Sequence, residues 1–149
     1  MVIEKRLVVI IGRELINIKE VTKLMIREFN IKKLGYDFMG YQLQKNDIYT
    51  FHHLIIPNRN GGPIERWNGA VLCGKSSHPY LHLIEHEDYD MFAYITSEMI
   101  DMNIKGCLDP QNIRNIHDVL DQFEREHCSD VNRSGRKLIK DIYTRRVKF

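Results

Sequence analysis

Apolar positions along the chain fall into two rhythms, and their alternation sets out the predicted elements. Leu7-Val8-Val9-Ile10-Ile11 is a continuous apolar run that predicts a strand ending near Gly12. Ile18, Val21, Leu24, Met25 and Phe29, with Ile26 beside them, then recur at steps of three and four. That spacing predicts an amphipathic helix stopping near Gly35. Residues 48–56 are rich in β-branched and aromatic side chains and are closed by Pro57, so they predict a second strand. Asn58-Arg59-Asn60-Gly61-Gly62-Pro63 is loop chemistry, and 67–73 reads as a short strand ended by Gly74. A helix follows, with Ser77 able to cap it and Pro79 suited to its first turn, running toward Glu85. Phe92, Ile95, Met99 and Met102 mark a further helix that ends around Gly106. Pro110 opens another, with Ile113, Ile116, Val119, Leu120 and Phe123 on its apolar side. Leu138, Ile142 and Val147 lie among basic residues and mark a final helix or a tail.

With 149 residues the chain can bury one sizeable core. The expected architecture is one α+β domain over 1–149. Its core spans 49–85, a strand–helix segment precedes it, and a helical extension covers 89–149. The longest apolar run is far below the ~20 residues that cross a bilayer, and the N-terminus has no small-residue cleavage site. A cytoplasmic protein with no membrane partner is the expectation. Cys73, Cys107 and Cys128 are odd in number and form no CxxC pair, which excludes a disulfide framework or a cysteine-based zinc knuckle. Isolated cysteines of this kind read as small buried hydrophobes.

Net charge is only +2, but it is unevenly placed. Residues 1–35 carry +4, residues 36–130 carry −8, and residues 131–149 carry +6. A basic end on an acidic body is a candidate surface for a polyanion.

The chemistry concentrates in the middle. Four of the seven histidines lie between positions 52 and 82, as His52-His53 and His78-Pro79-Tyr80-Leu81-His82, with Asn68 between them. His78 and His82 are spaced i, i+4, so on a helix their rings share one face and can share a metal. His52 and His53 are neighbours on a strand and project to opposite faces. One can therefore join the helical pair while the other acts as a base.

This order (His-His, a Gly-Gly loop, Asn, then HxxxH) resembles the HNH, or ββα-metal, endonuclease motif. Its spacing is similar to that of the nuclease domains of DNase colicins, over about residues 49–85. The resemblance implies a ββα-metal core in which His52, His78 and His82 hold one divalent metal ion. It further implies that His53 is the general base activating water and that Asn68 orients the His53 ring. Gly61 and Gly62 match the glycines that turn the family's loop. Physically, a neutral imidazole titrates near the working pH of hydrolysis, a partner on its second nitrogen fixes it, and a cation neutralises charge developing on the phosphate. Many relatives carry flanking cysteine pairs for a structural zinc, and an aspartate where this chain has His52. The nitrogen-rich set favours zinc, nickel or manganese over magnesium.

Arg59 and Arg66 flank the glycine loop, where a guanidinium could clamp a phosphate; solvated loop arginines are the competing reading. Arg136, Lys137, Lys140, Arg145 and Arg146 could follow a DNA backbone, against a solvated helix face. Glu85 to Asp90 reads as a solvated acidic run, His86 as a surface histidine, and His117 and His127 as isolated ones. Trp67 and Tyr80 read as packing residues. The expected function is a metal-dependent HNH-type endonuclease hydrolysing DNA phosphodiesters. The alternative is a non-cleaving ββα-metal protein that binds or inhibits a nucleic-acid or protein partner. A zinc protease is a poor third, because Pro79 stands where its glutamate would follow the first histidine.

Overall fold

The computed structural model describes residues 18–149; the strand expected at Leu7–Ile11 lies outside them. Within that range the chain is mixed α and β, with six helices and one two-stranded antiparallel sheet. Helix α1 occupies 18–28 and buries Thr22, Met25 and Phe29, which recur at three- and four-residue steps, while Leu24 is exposed. Asn30, in the left-handed region, breaks it from a single further turn, α2 (Ile31–Leu34), which Gly35 ends.

Residues 36–43 have no regular period, yet Tyr36, Phe38, Met39 and Tyr41 are buried. Asp37 explains this. Its buried carboxylate accepts from the backbone N–H groups of Met39 at 3.0 Å, Tyr41 at 3.1 Å and Cys73 at 2.9 Å. The loop is thereby folded on itself and pinned to the sheet, with three donors offsetting the cost of burying the charge.

Strands β1 (Tyr49–His53) and β2 (Gly69–Cys73) form the hairpin, with His52 opposite Ala70 and His53 opposite Gly69. β2 is buried throughout. Helix α3 (Ser77–Glu87) follows directly, with Ser76 at the N-cap position and Ser77 already helical. Helix α4 (Tyr89–Lys105) is capped by Asp88, which accepts from the Met91 N–H, and α5 (Pro110–His127) by Asp109, which accepts from the Gln111 N–H. Helix α6 (Arg133–Arg145) settles the choice between a final helix and a tail, and Asn132 caps it. α3 packs on α4 and α6, and α4 on α5, around Leu81, Ile84, Ile95, Met99, Ile116 and Phe123. Asn103 ties α4 to the hairpin: its side-chain N–H groups donate to the Arg66 and Gly69 carbonyls at 2.7 Å each. Among the described residues no helix is long and apolar enough to cross a membrane.

Two expectations about packing fail. Trp67 is 43% exposed, its indole N–H donating to Glu65 rather than entering the core. Cys73 is buried as expected, whereas Cys107 and Cys128 are exposed.

Candidate functional site

The hairpin and α3 bring three histidines together. His52 extends from β1 toward α3, where the opposite residue, Ala70, leaves its side of the sheet open. His78 and His82 lie one turn apart on α3, and their rings stack at 4.8 Å with an interplanar angle of 29°. The His52 ring stands edge-on to both, with centroids 5.2 Å from His78 and 5.5 Å from His82. One nitrogen of each of the three lies within 4.8 Å of the others, so the group could hold a metal ion.

The hydrogen-bond network determines which nitrogen His78 offers. The Thr50 hydroxyl donates its only proton to the Leu72 carbonyl at 3.1 Å. With that proton on Leu72, both contacts are satisfied when the hydroxyl accepts from His78 Nδ1–H at 2.7 Å, the tautomer that a metal at Nε2 requires. Nε2 then carries a lone pair and faces His52 Nδ1 at 3.3 Å. Two nitrogens bound at 2.0–2.1 Å to one tetrahedral ion stand about 3.3 Å apart, so the pair has the separation that a zinc-sized ion requires. His82 is held similarly, its Nδ1 lying 3.2 Å from Glu85 Oε1. Such outer partners fix ring orientation and raise the basicity of a ligand.

Electrostatics favour donors over cations here. Burial, reinforced by the neighbouring imidazoles, pushes His52 down to about 3 and His78 down to about 4. Both are neutral at physiological pH, as a metal ligand must be. His52 Nε2 is buried with no hydrogen-bond partner among the described residues.

His53 points away from this trio, sharing its strand face with Phe51, whose ring meets it edge-on at 5.0 Å. The Gly62 backbone lies beside the ring, and Nε2 is buried with no partner among the described residues. Burial lowers its pKa, and the Gly62 contact opposes that shift. Burial thus favours the uncharged ring.

Asn68 does not orient His53 directly, as the resemblance implied. Fully buried, it spends its amide on the β1–β2 loop. Its Oδ1 accepts from the Ile55 and Ile56 N–H groups at 2.9 Å, and its Nδ2 donates to the Ile56 and Pro63 carbonyls at 3.0 and 3.1 Å. The loop so fixed carries Gly62, which lies beside His53, making Asn68 a positioning residue acting at one remove. Gly61 takes φ 76°, and any side chain at Gly62 would collide with the Ile56 carbonyl.

Both histidine groups open onto one cleft of about 730 Å³ that wraps around the end of β1. Arg59 and Glu85 also line it, and α4 supplies a wall of Tyr89, Phe92 and Thr96. Arg66 does not reach it. Its guanidinium is paired with Glu28 at 2.6 Å and lies over the Phe29 ring at the end of α1.

The C-terminal cations divide. Arg145 donates to the Gln42 carbonyl and the Tyr41 hydroxyl and pairs with Asp47 at 3.3 Å. Arg146 is buried and paired with Asp121 and Glu124. These two are structural braces, which removes them from a DNA-backbone surface. Arg136 donates to the Val131 carbonyl at 3.0 Å, while Lys137 and Lys140 are exposed with no ion pair among the described residues.

Thr50 and Glu85 are site residues that pattern reading passed over. Thr50 sits two positions before His52, on the same strand face, and that spacing was the available signal. Glu85, three residues after His82, was hidden inside the acidic run. His86 points to solvent and pairs with Glu87. Tyr80 is packing, its hydroxyl donating to Glu124 at 3.2 Å. Compared with protein-family models, with curated proteins and with solved structures, the chain finds no match.

Proposed function

We propose that this chain is a metal-dependent endonuclease of the HNH type, with a ββα-metal core made of β1, β2 and α3, and that it hydrolyses DNA phosphodiester bonds. One observation carries the reading. A three-nitrogen donor set and a second imidazole on the other strand face, whose buried Nε2 has no partner among the described residues, line the same cleft. A purely structural metal would need only the first of these.

His52, His78 and His82 would hold the ion, with Thr50 and Glu85 orienting His78 and His82. When bound, the metal supplies charge neutralisation at the scissile phosphate and at the leaving oxygen. Three neutral ligands leave its charge undiminished, and the donor chemistry suits zinc, nickel or manganese better than magnesium. His53 accepts the proton of the attacking water at Nε2 as the new P–O bond forms and the scissile P–O bond breaks. The Gly62 backbone lies beside that ring, and Asn68 keeps Gly62 in place. Arg59, on the cleft rim, is the guanidinium available to the phosphate.

The test is plasmid nicking across divalent metals, run beside His53→Ala. Nicking should fall by roughly 10²–10⁴-fold in that variant, with bound metal unchanged. Stoichiometric metal without nicking in the wild type would transfer the reading to a non-cleaving binding or inhibitory protein. Loss of metal from His53→Ala would show that the roles of His52 and His53 are exchanged.

A further inference from the structure

With Arg145 and Arg146 committed to internal carboxylates, the cations left for a polyanion lie elsewhere. Lys19, Lys23 and Arg27 are spaced i, i+4, i+8 on α1 and are all exposed. They form one stripe with a cation about every 6 Å along the helix axis. Lys32 and Lys33 extend the stripe on α2, and both are exposed. Lys23, Arg27, Lys32 and Lys33, with Ile26 and Asn30, line a hollow of about 450 Å³.

None of these five cations has an ion-pair partner among the described residues. Glu28, the carboxylate next to Arg27, is turned away to Arg66. Like charges at i, i+4 repel, so the stripe carries a standing electrostatic cost that an external anion would relieve. On α4, by contrast, Lys105 pairs with Asp101 one turn back and with Asp109, the α5 cap. Glu20, the other exposed acid on α1, makes no ion pair with the stripe among the described residues. The stripe also has a direction: Ile18, the residue before Lys19, lines the cleft that holds the histidines. The stripe therefore begins one residue from the cleft lining.

We infer that the α1–α2 face formed by Lys19, Lys23, Arg27, Lys32 and Lys33 is a phosphate track that carries the nucleic-acid backbone into the histidine cleft. The identity of the ligand rests on the nuclease reading above; the anion-binding face does not. Side chains of this kind neutralise phosphates and release counterions without reading sequence. The track thus supplies affinity and direction, while the cleft supplies the chemistry.

The measurement is fluorescence anisotropy with a short labelled DNA duplex, in chelator and in the His53→Ala background, so that cleavage does not interfere. The variant is Lys23→Gln, Arg27→Gln, Lys32→Gln and Lys33→Gln combined, with Lys137→Gln and Lys140→Gln on α6 as the comparison. Thermal melting confirms that both are folded. The α1–α2 variant should bind at least roughly tenfold more weakly at low salt. Its salt slope should flatten by about 0.9 for each cation that touches phosphate, while the α6 variant keeps the parental slope. An unchanged slope in the α1–α2 variant, or an equal change in the α6 variant, would overturn the track. So would binding through these residues to phosphatidylserine vesicles with none to DNA. Track-dependent DNA binding by a protein that never nicks DNA would uphold the track and remove the nuclease reading. Nicking by the wild type with an unchanged slope in the variant would do the reverse.

Discussion

Among the described residues, two histidine-centred clusters have metal-binding composition, and they behave in opposite ways. His52, His78 and His82 meet with no carboxylate between them. His127 meets Asp88, Glu126 and Asp130, with Nε2 at 2.9 Å from Asp88 and Nδ1 at 3.2 Å from Asp130. The first cluster depresses His52 and His78, chiefly by burial. The second raises His127, chiefly through its hydrogen bond with Asp88. Both ring nitrogens of His127 lie within hydrogen-bond distance of a carboxylate, so protonating the ring supplies that cluster's cation. Its role is structural: it joins the end of α5 to the cap of α4. What separates a donor set from an ion pair is the charge of the surroundings and not the count of ligating residue types.

The sharpest way to break this contrast is to remove one histidine from each cluster. His78→Ala should abolish stoichiometric zinc binding in a calorimetric titration, because only two ligands remain. His127→Ala should leave binding as it was, and zinc-dependent loss in His127→Ala would mean that the second cluster is the metal centre. In the wild type, zinc at a hundred times its Kd should stabilise the fold by about 2.7 kcal/mol, and His78→Ala should lose that gain.

A finer test addresses the hydroxyl between the strands. Thr50→Val keeps the shape of the side chain but removes the acceptor for His78 Nδ1–H. Zinc affinity should fall about 10–100-fold, and Thr50→Ser should restore most of it. Equal affinities in the two variants would show that the Thr50 contact leaves the ligand unaffected.

The clusters should also answer pH with opposite signs. His52 and His78 bind protons less readily when folded, near 3 and 4 against an ordinary 6.5. The unfolded chain takes up the extra protons below about pH 6.5, so metal-free protein should lose stability as pH falls through that window. Each group contributes up to about 1.4 kcal/mol per pH unit. Urea melts in chelator at pH 7.5, 6 and 5 would read this, and a flat profile would contradict it. His127 is raised when folded, so its stabilisation is full below about pH 6.5 and fades as pH climbs through the folded value. This is the smallest effect, because the carboxylates around it are part-exposed and solvent screens the pair. His127→Gln should remove the alkaline decline and leave the acid one.

The sequence made the site more legible than its supports. Two local periods, four along a helix and two along a strand, paired His78 with His82 and sent His52 and His53 to opposite faces, and the motif resemblance chose His52 as the third member. The periods worked because those geometries depend only on neighbours in the chain. Asn68 was misassigned because its partners depend on the path of the β1–β2 loop, which no period encodes. Arg145 and Arg146 of the basic tail were misread for a related reason. Charge counting cannot see that Arg145 meets Asp47 or that Arg146 meets Asp121 and Glu124. Residues 36–43 stayed unread because one buried carboxylate, Asp37, organises them in place of an alternating pattern.

The strap between the loop at 40–42 and the chain's last residues bears on how the protein is born. Gln42 N–H reaches the Arg145 carbonyl and Val147 N–H the Gly40 carbonyl, each at 2.8 Å. Arg145 caps the same loop through contacts about a hundred residues apart in sequence. Synthesis delivers the N-terminal side first. The hairpin and α3, contiguous in sequence, are available to fold while the chain is still growing. The loop beside them must wait for residues 145–147 to emerge. During that interval Asp37 can pin its own loop, but Asp47 has no arginine to meet. A nascent chain can therefore possess its histidine trio before it possesses its clasp, and stalling or cleavage ahead of residue 145 would leave that intermediate as the end product.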